Sequence, residues 1–252
     1  MATFLTTDRR TEELRTAAFT GSPLGAPGAG LSDDARWLYE ELAFVWRYFD
    51  ELLAEIPIVE RIESSAVTLE DYRLLLRNIR QQVIEGGRWL ALAASSFSID
   101  LFFVRSAVIT HAVEEHRDYQ MLEQNYVAVG GDLQEILTYP KNIGSEALNA
   151  FMFHTARQPD PLHAFGAVFV IEGLGSAKAA GWAKNVKDAL GVGDEAVTFL
   201  AYHGENDDTH YDKLRALLAT PLIDRALAAR IAKTAKVVAR LYALQLEELG
   251  NV

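Results

Sequence analysis

Residues 199–214 read FLAYHGENDDTHYDKL, and within them His203, Asp207 and His210 stand at i, i+4 and i+7. At about 3.6 residues per turn, a helix puts these three side chains on one face over two turns. Two imidazoles and a carboxylate on one stripe can converge on a cation such as iron or manganese. A polar helix face with two ordinary surface histidines has the same spelling, so ligands from other helices must decide between the two.

Two other stretches offer them. Residues 111–119 read HAVEEHRDY, with His111, Glu115 and Asp118 at i, i+4 and i+7 and with Glu114 and His116 turned to either side. The apolar neighbours Ile109, Val113 and Leu122 suggest that part of this helix is buried, and a buried carboxylate must be paired, protonated or metal-bound. A solvated stripe with its own i, i+4 pairs is the plainer account. Residues 167–181 read AVFVIEGLGSAKAAG, and Glu172 is the one acid in that apolar, small-residue run. Glu172 is the least comfortable carboxylate in the chain if it has no partner, and lone buried carboxylates cluster at sites. Gly173 and Gly175 beside it cost helix stability, which points to close helix contact or room for a ligand. Together three helices supply Glu115, Asp118, Glu172, His203, Asp207 and His210. A carboxylate-rich set of that size suits a two-metal centre of iron or manganese better than zinc.

Composition narrows the rest. The 252-residue chain carries a formal charge of −11, which disfavours nucleic acid and anionic lipid as partners. It has no cysteine, so disulfides, thiolate metal sites and a cysteine nucleophile are excluded. Residues 1–30 lack the apolar stretch of a secretory signal, and the longest apolar runs, such as 165–171, are too short to span a bilayer. The expectation is a cytoplasmic protein with no membrane partner. Residues 1–30 end in TGSPLGAPGAG and read as a flexible N-terminal arm, leaving 31–252 as one domain.

The elements that must position the six residues are helices throughout, an all-α bundle of seven. Ser32 with Asp33 and Asp34 starts the first, and Pro57 ends it or sits just past its end. Thr68 to Asp71 is a capping box that opens the second, which reaches or passes a bend at Gly86 and Gly87. The third covers about 99–129 and ends at Gly130 and Gly131. A short helix near 145–155 follows. Asp160 and Pro161 read as N-cap and first residue of the fifth, which stops at 191–193. The sixth covers about 194–218, and Thr220 with Pro221 starts a seventh that ends near Leu249. Lys178, Lys184 and Lys187 read as a solvated face, and His154 and His163 as structural or exposed. Tyr119, Tyr202 and Tyr211 lie beside candidate ligands, with buried packing the plainer role. Phe102, Phe103, Phe165 and Phe169 would give a pocket an apolar lining or else belong to plain core.

The motifs HAVEE, FVIEG and HGENDDTH, in this helix order, resemble the haem-oxygenase-like iron-containing redox enzymes, also described as haem-oxygenase-like di-iron oxidases and oxygenases. The resemblance covers most of residues 32–250. HGENDDTH matches that family's His-x3-Asp-x2-His pattern, Glu172 its buried Glu before Gly, and Glu115 its Glu in the first ligand helix. The family usually places a His shortly after that Glu. Here Asp118 stands three residues on, and Asp118, His111 or His116 completes the set. The resemblance implies a haem-oxygenase-type seven-helix bundle, two iron ions, and use of O2 on a small organic substrate. Bundles of this kind often pair as homodimers. The axial histidine of true haem oxygenase has no counterpart before His111, and the cysteine of thiaminase II-like members is absent. A metal-free oxidase like the pyrroloquinoline-quinone synthase branch, or a non-catalytic small-molecule-binding protein, would use the same fold.

Overall fold

The structure, a computed structural model, describes residues 22–25 and 30–252, apart from the side chains at 206–210 and 213. Its helices are α1 Asp33–Ala54, α2 Pro57–Glu63, α3 Leu69–Val83, α4 Gly86–Ser96, α5 Phe102–Glu115 and α6 Tyr119–Ala128. They continue as α7 Leu133–Thr138, α8 Ile143–Ala156, α9 Phe165–Leu174, α10 Ala180–Leu190, α11 Thr198–Leu218 and α12 Arg225–Glu247. No strand occurs among the described residues. The expected all-helical bundle holds, but its seven helices are cut into more and shorter pieces. Among the described residues no single helix is long and apolar enough to cross a membrane.

The last helix lies at the centre. α12 buries Ala228, Ile231, Ala235, Val238, Tyr242 and Leu246, and it packs against α1, α8 and α9. Small residues on the facing helices let the axes come close. A Cβ on Gly166 of α9 would overlap the Ile231 carbonyl of α12, so that crossing requires glycine.

Local chemistry explains where the helices start and stop. Ser32 Oγ accepts the Ala35 N–H at 3.1 Å and opens α1. The capping box at α3 is complete: Asp71 N–H donates to Thr68 Oγ1 at 3.2 Å and Thr68 N–H to Asp71 Oδ2 at 3.0 Å. Pro57 sits just past the end of α1, as expected, and opens the short helix α2. Two boundaries differ from expectation. Asp160 does not cap α9: it sits at φ 45°, and its side chain accepts the Ser98 N–H at 2.6 Å, tying down the link between α4 and α5. Thr220 does not open α12 either, because its hydroxyl donates back to the Leu217 carbonyl at 2.7 Å, and Asp224 caps α12 by accepting the Leu227 N–H at 2.8 Å. Residues 1–21 and 26–29 of the expected arm lie outside the described residues. Within 22–25, Leu24 is buried and Arg215 donates to the Pro23 carbonyl at 2.9 Å.

The start of α11 has no side-chain cap of its own. Asn125 of α6, fully buried, supplies one from across the bundle. Its Oδ1 accepts the Phe199 N–H at 3.1 Å, and its Nδ2 donates to the Glu195 carbonyl at 2.8 Å and Thr198 Oγ1 at 2.7 Å. One carboxamide thus fixes α11 against α6 and satisfies a donor that a helix start leaves open.

Two stability measurements check these contacts. Asn125→Ala is expected to lose about 2–4 kcal/mol in chemical denaturation, because three buried hydrogen bonds go and the Phe199 N–H is left dry. Gly166→Ala is expected to cost about 1–3 kcal/mol through overpacking of α9 on α12. Denaturation midpoints equal to wild type would show that the bundle shifts freely at these places.

Candidate metal centre

Three parts of the chain, α5 with the turn after it, α9 and α11, bring acidic and imidazole side chains to one place. His111 and Glu115 come from the last turn of α5, Asp118 from the start of α6, Glu172 from the end of α9 and His203 from α11. Glu115 stands between two imidazoles: its Oε1 lies 3.6 Å from His111 Nε2 and its Oε2 4.0 Å from His203 Nε2. On one side His111 Nε2 lies 3.3 Å from Glu172 Oε1, and on the other His203 Nε2 lies 3.4 Å from Asp118 Oδ2. His111, Asp118 and Glu172 are each 6% exposed. Two trios result, His111–Glu115–Glu172 and Glu115–Asp118–His203, and within each the ligand atoms lie within 4.8 Å of one another.

The helix expected over 99–129 breaks directly after Glu115. The turn at 116–118 is tightened by i to i+3 bonds, Asp118 N–H to Glu115 O at 3.2 Å and Met121 N–H to Asp118 O at 3.0 Å. Gly87 at the start of α4 presses on this turn, since a Cβ there would lie 2.9 Å from His116 Cα. Asp118 therefore reaches the centre from the head of α6 and not along the stripe of α5. His116 is exposed and its Nε2 lies 3.4 Å from Arg117 Nε, away from the trios, so of the two alternative histidines only His111 is at the centre.

His203 is held by its own helix. Its Nδ1 lies 2.9 Å from the Phe199 carbonyl, which only accepts, so Nδ1 carries a proton and Nε2 is the nitrogen turned toward Glu115 and Asp118. The Phe199 ring packs on the imidazole with centroids 4.2 Å apart. Gly204 lets α11 approach the start of α10, where a Cβ would lie 2.6 Å from the Ala180 nitrogen. Glu172 sits one turn before a π-turn over Gly175–Ala179, a helix defect frequent at functional sites. α11 also carries Asp207 and His210, whose side chains lie outside the described residues.

Burial works against a charged ring at His111, but hydrogen bonds and charge from Glu115 and Glu172 outweigh it and push its pKa up to about 10. The carboxylates that hold a proton there would equally favour a metal cation. Asp118 Oδ2 is buried and has no hydrogen-bond partner among the described residues. Bonds of about 2.0–2.2 Å allow two ligands of one ion to stand at most about 4.4 Å apart. The four separations above fall inside that limit. Oxygen and nitrogen donors without thiolate suit iron or manganese, so the residues fit the cation that the sequence suggested.

Glu115, Glu172 and His203 also line a cavity of about 80 Å³ whose remaining wall is largely apolar, with Trp89, Leu174, Trp182 and Leu200 among its residues. Other expectations resolve as follows. Ile109 and Val113 are exposed, so the buried side of α5 is the one with Val104, Val108 and His111. Phe102 and Phe103 are exposed too, Phe169 is core, and none of the three lines this cavity. Tyr211 is buried and donates to the Phe169 carbonyl, Tyr202 is exposed, and Tyr119 lies under the Arg80 guanidinium. Lys178, Lys184 and Lys187 pair with surface acids, and His163 Nδ1 accepts from Arg230 at 2.9 Å.

The fold has solved counterparts. A domain of unknown function with a heme oxygenase-like fold from Shewanella denitrificans superposes with a TM-score of 0.75 at 16% identity, over 81% of this chain and 88% of its own. A TenA homologue from Pseudomonas syringae pv. tomato gives 0.70 at 12%, over 84% and 92%, and one from P. horikoshii gives 0.68 at 13%, over 83% and 96%. At such identities the likeness is one of fold. No curated protein matches the sequence significantly. The family model described as iron-containing redox enzyme matches residues 74–243, a span that holds His111, Glu115, Asp118, Glu172, His203, Asp207 and His210. The chain, well over half of it matched, belongs to the iron-containing redox enzyme family.

Proposed function

We propose that this protein is a non-haem iron oxidoreductase that acts with O2 on a small organic substrate. One observation carries the reading: the Glu115 carboxylate lies between two buried imidazoles, each with a further carboxylate beside it. His111, Glu115 and Glu172 would hold one iron, and Glu115, Asp118 and His203 a second. Asp207 and His210, on the next turns of α11, are offered as further ligands from the sequence pattern. Ferrous iron held by these residues would supply electrons for the reduction of dioxygen.

The chain's own residues set the conditions. Glu115, Asp118 and Glu172 balance the metal charge in a place where water does so poorly. The bond from His203 Nδ1–H to the Phe199 carbonyl holds the ring in one orientation and leaves Nε2 as the nitrogen that would bind a metal. The apolar wall holds a substrate beside Glu115 and Glu172 and limits water there. A metal-free oxidase has one observation in its favour: a protonated His111 between Glu115 and Glu172 offsets carboxylate charge without a metal.

Anaerobic loading with ferrous iron, removal of excess and metal analysis separate the two. The expected result is about two irons per chain, as two ligand trios require, with O2 uptake on exposure to air. Glu115→Ala is expected to lose both irons. His111→Ala is expected to lose one, and His116→Ala neither. A folded wild-type protein that retains no iron would sink the proposal and leave the metal-free oxidase.

A further inference from the structure

The cavity beside the centre contains a group with no task in the scheme above. Ile79, Gln82, Val83 and Gly86 stand at i, i+3, i+4 and i+7 across the end of α3 and the start of α4, and all four line it. Gln82 is 6% exposed, its side chain has no hydrogen-bond partner among the described residues, and its carboxamide is open to the space beside it rather than sealed. Its neighbour Gln81 points elsewhere and donates to the Ile136 carbonyl at 3.1 Å. A carboxamide that has only water to bond to is free to bond a ligand that displaces that water. A pocket that is mostly apolar with a few converging polar groups is the usual form of a small-molecule site.

Charge and size narrow the ligand. Among the described lining residues there is no lysine or arginine, so a carboxylate placed at Gln82 would be buried without compensation. An ammonium group would be drawn instead to Glu115 and Glu172, in competition with the metal. The volume of about 80 Å³ is roughly half of the ~150 Å³ that takes up benzene, which leaves space for a body of about three or four carbons.

We propose that this cavity binds a short neutral molecule whose hydrocarbon body packs on Trp89, Leu90 and Leu174 and whose single uncharged hydrogen-bonding group, an amide or alcohol, is held by Gln82. Gln82 is then the residue that sets specificity, placing the opposite end of the molecule toward Glu115. The proposal rests on the iron reading only for what happens at that opposite end.

Binding of butyramide, butyrate and butylammonium can be followed through the fluorescence of Trp89 and Trp182, with iron content measured on the same samples. Butyramide is expected to bind the iron-loaded protein, and butyrate at least tenfold more weakly. Gln82→Leu is expected to weaken butyramide about tenfold, the worth of one or two hydrogen bonds, while iron content stays at the wild-type level. Gln82→Glu, close in shape, is expected to shift preference from butyramide to butylammonium. The proposal is overturned if butyrate binds as well as butyramide, if Gln82→Leu and Gln82→Glu both leave the ranking unchanged, or if no probe binds. Butyramide binding by a protein that holds no iron would reject the iron reading and keep this one. The reverse pattern would reject only this one.

Discussion

Glu115, Asp118 and Glu172 are gathered where water reaches them poorly, and like charges so placed repel. That repulsion is the constraint the rest of the structure answers. Hydrocarbon packing cannot relieve it. A proton on one of the carboxylates or on His111 can, and so can a metal ion among them. A protein selected for stability alone would be better served by apolar residues at these positions, since replacing buried ionic groups with hydrocarbon is often neutral or stabilising. Their presence therefore points to chemistry.

Holding such a set together takes stiff supports, and the bundle supplies them at a distance from the charges. Asn125 ties the head of α11, which carries His203, to α6, whose start carries Asp118. Gly204 lets α11 approach α10 beside His203, while Gly166 lets α9, which carries Glu172, press on the central helix. The π-turn after Glu172 and the tight turn after Glu115 are local irregularities, and each lies next to a ligand. Ideal helices would carry these side chains along straight stripes. The breaks aim them inward.

The sequence carried this information unevenly. A lone Glu172 in an apolar run and the i, i+4 pairing of His111 with Glu115 were readable, because burial and helical period are properties of composition and spacing. The all-helical class was readable for the same reason. Asp118 was picked for the wrong geometry: a continuous helix puts it on the stripe of His111 and Glu115, whereas a broken one brings it in beside His203. That break depends on Gly87 pressing against His116 from another helix, a contact no local pattern encodes. The choice between His111 and His116 was likewise tertiary, settled by which side of α5 faces the bundle. Ile109 and Val113 misled here, since apolar character alone does not say which face is covered.

Gln82 shows the same limit from the other direction. A glutamine near the end of a helix draws no notice in a sequence, because most are solvated. Its meaning comes from three facts that exist only in the fold: the residue is largely covered, its side chain has no partner among the described residues, and it lines the same cavity as Glu115 and Glu172. The wall of that cavity offers two kinds of polar group among hydrocarbon, the anionic, metal-ready Glu115 and Glu172 and the neutral, hydrogen-bonding Gln82. A ligand with matching ends can lie in it only one way round. Orientation is then fixed before any reaction, by a residue that touches neither ligand trio.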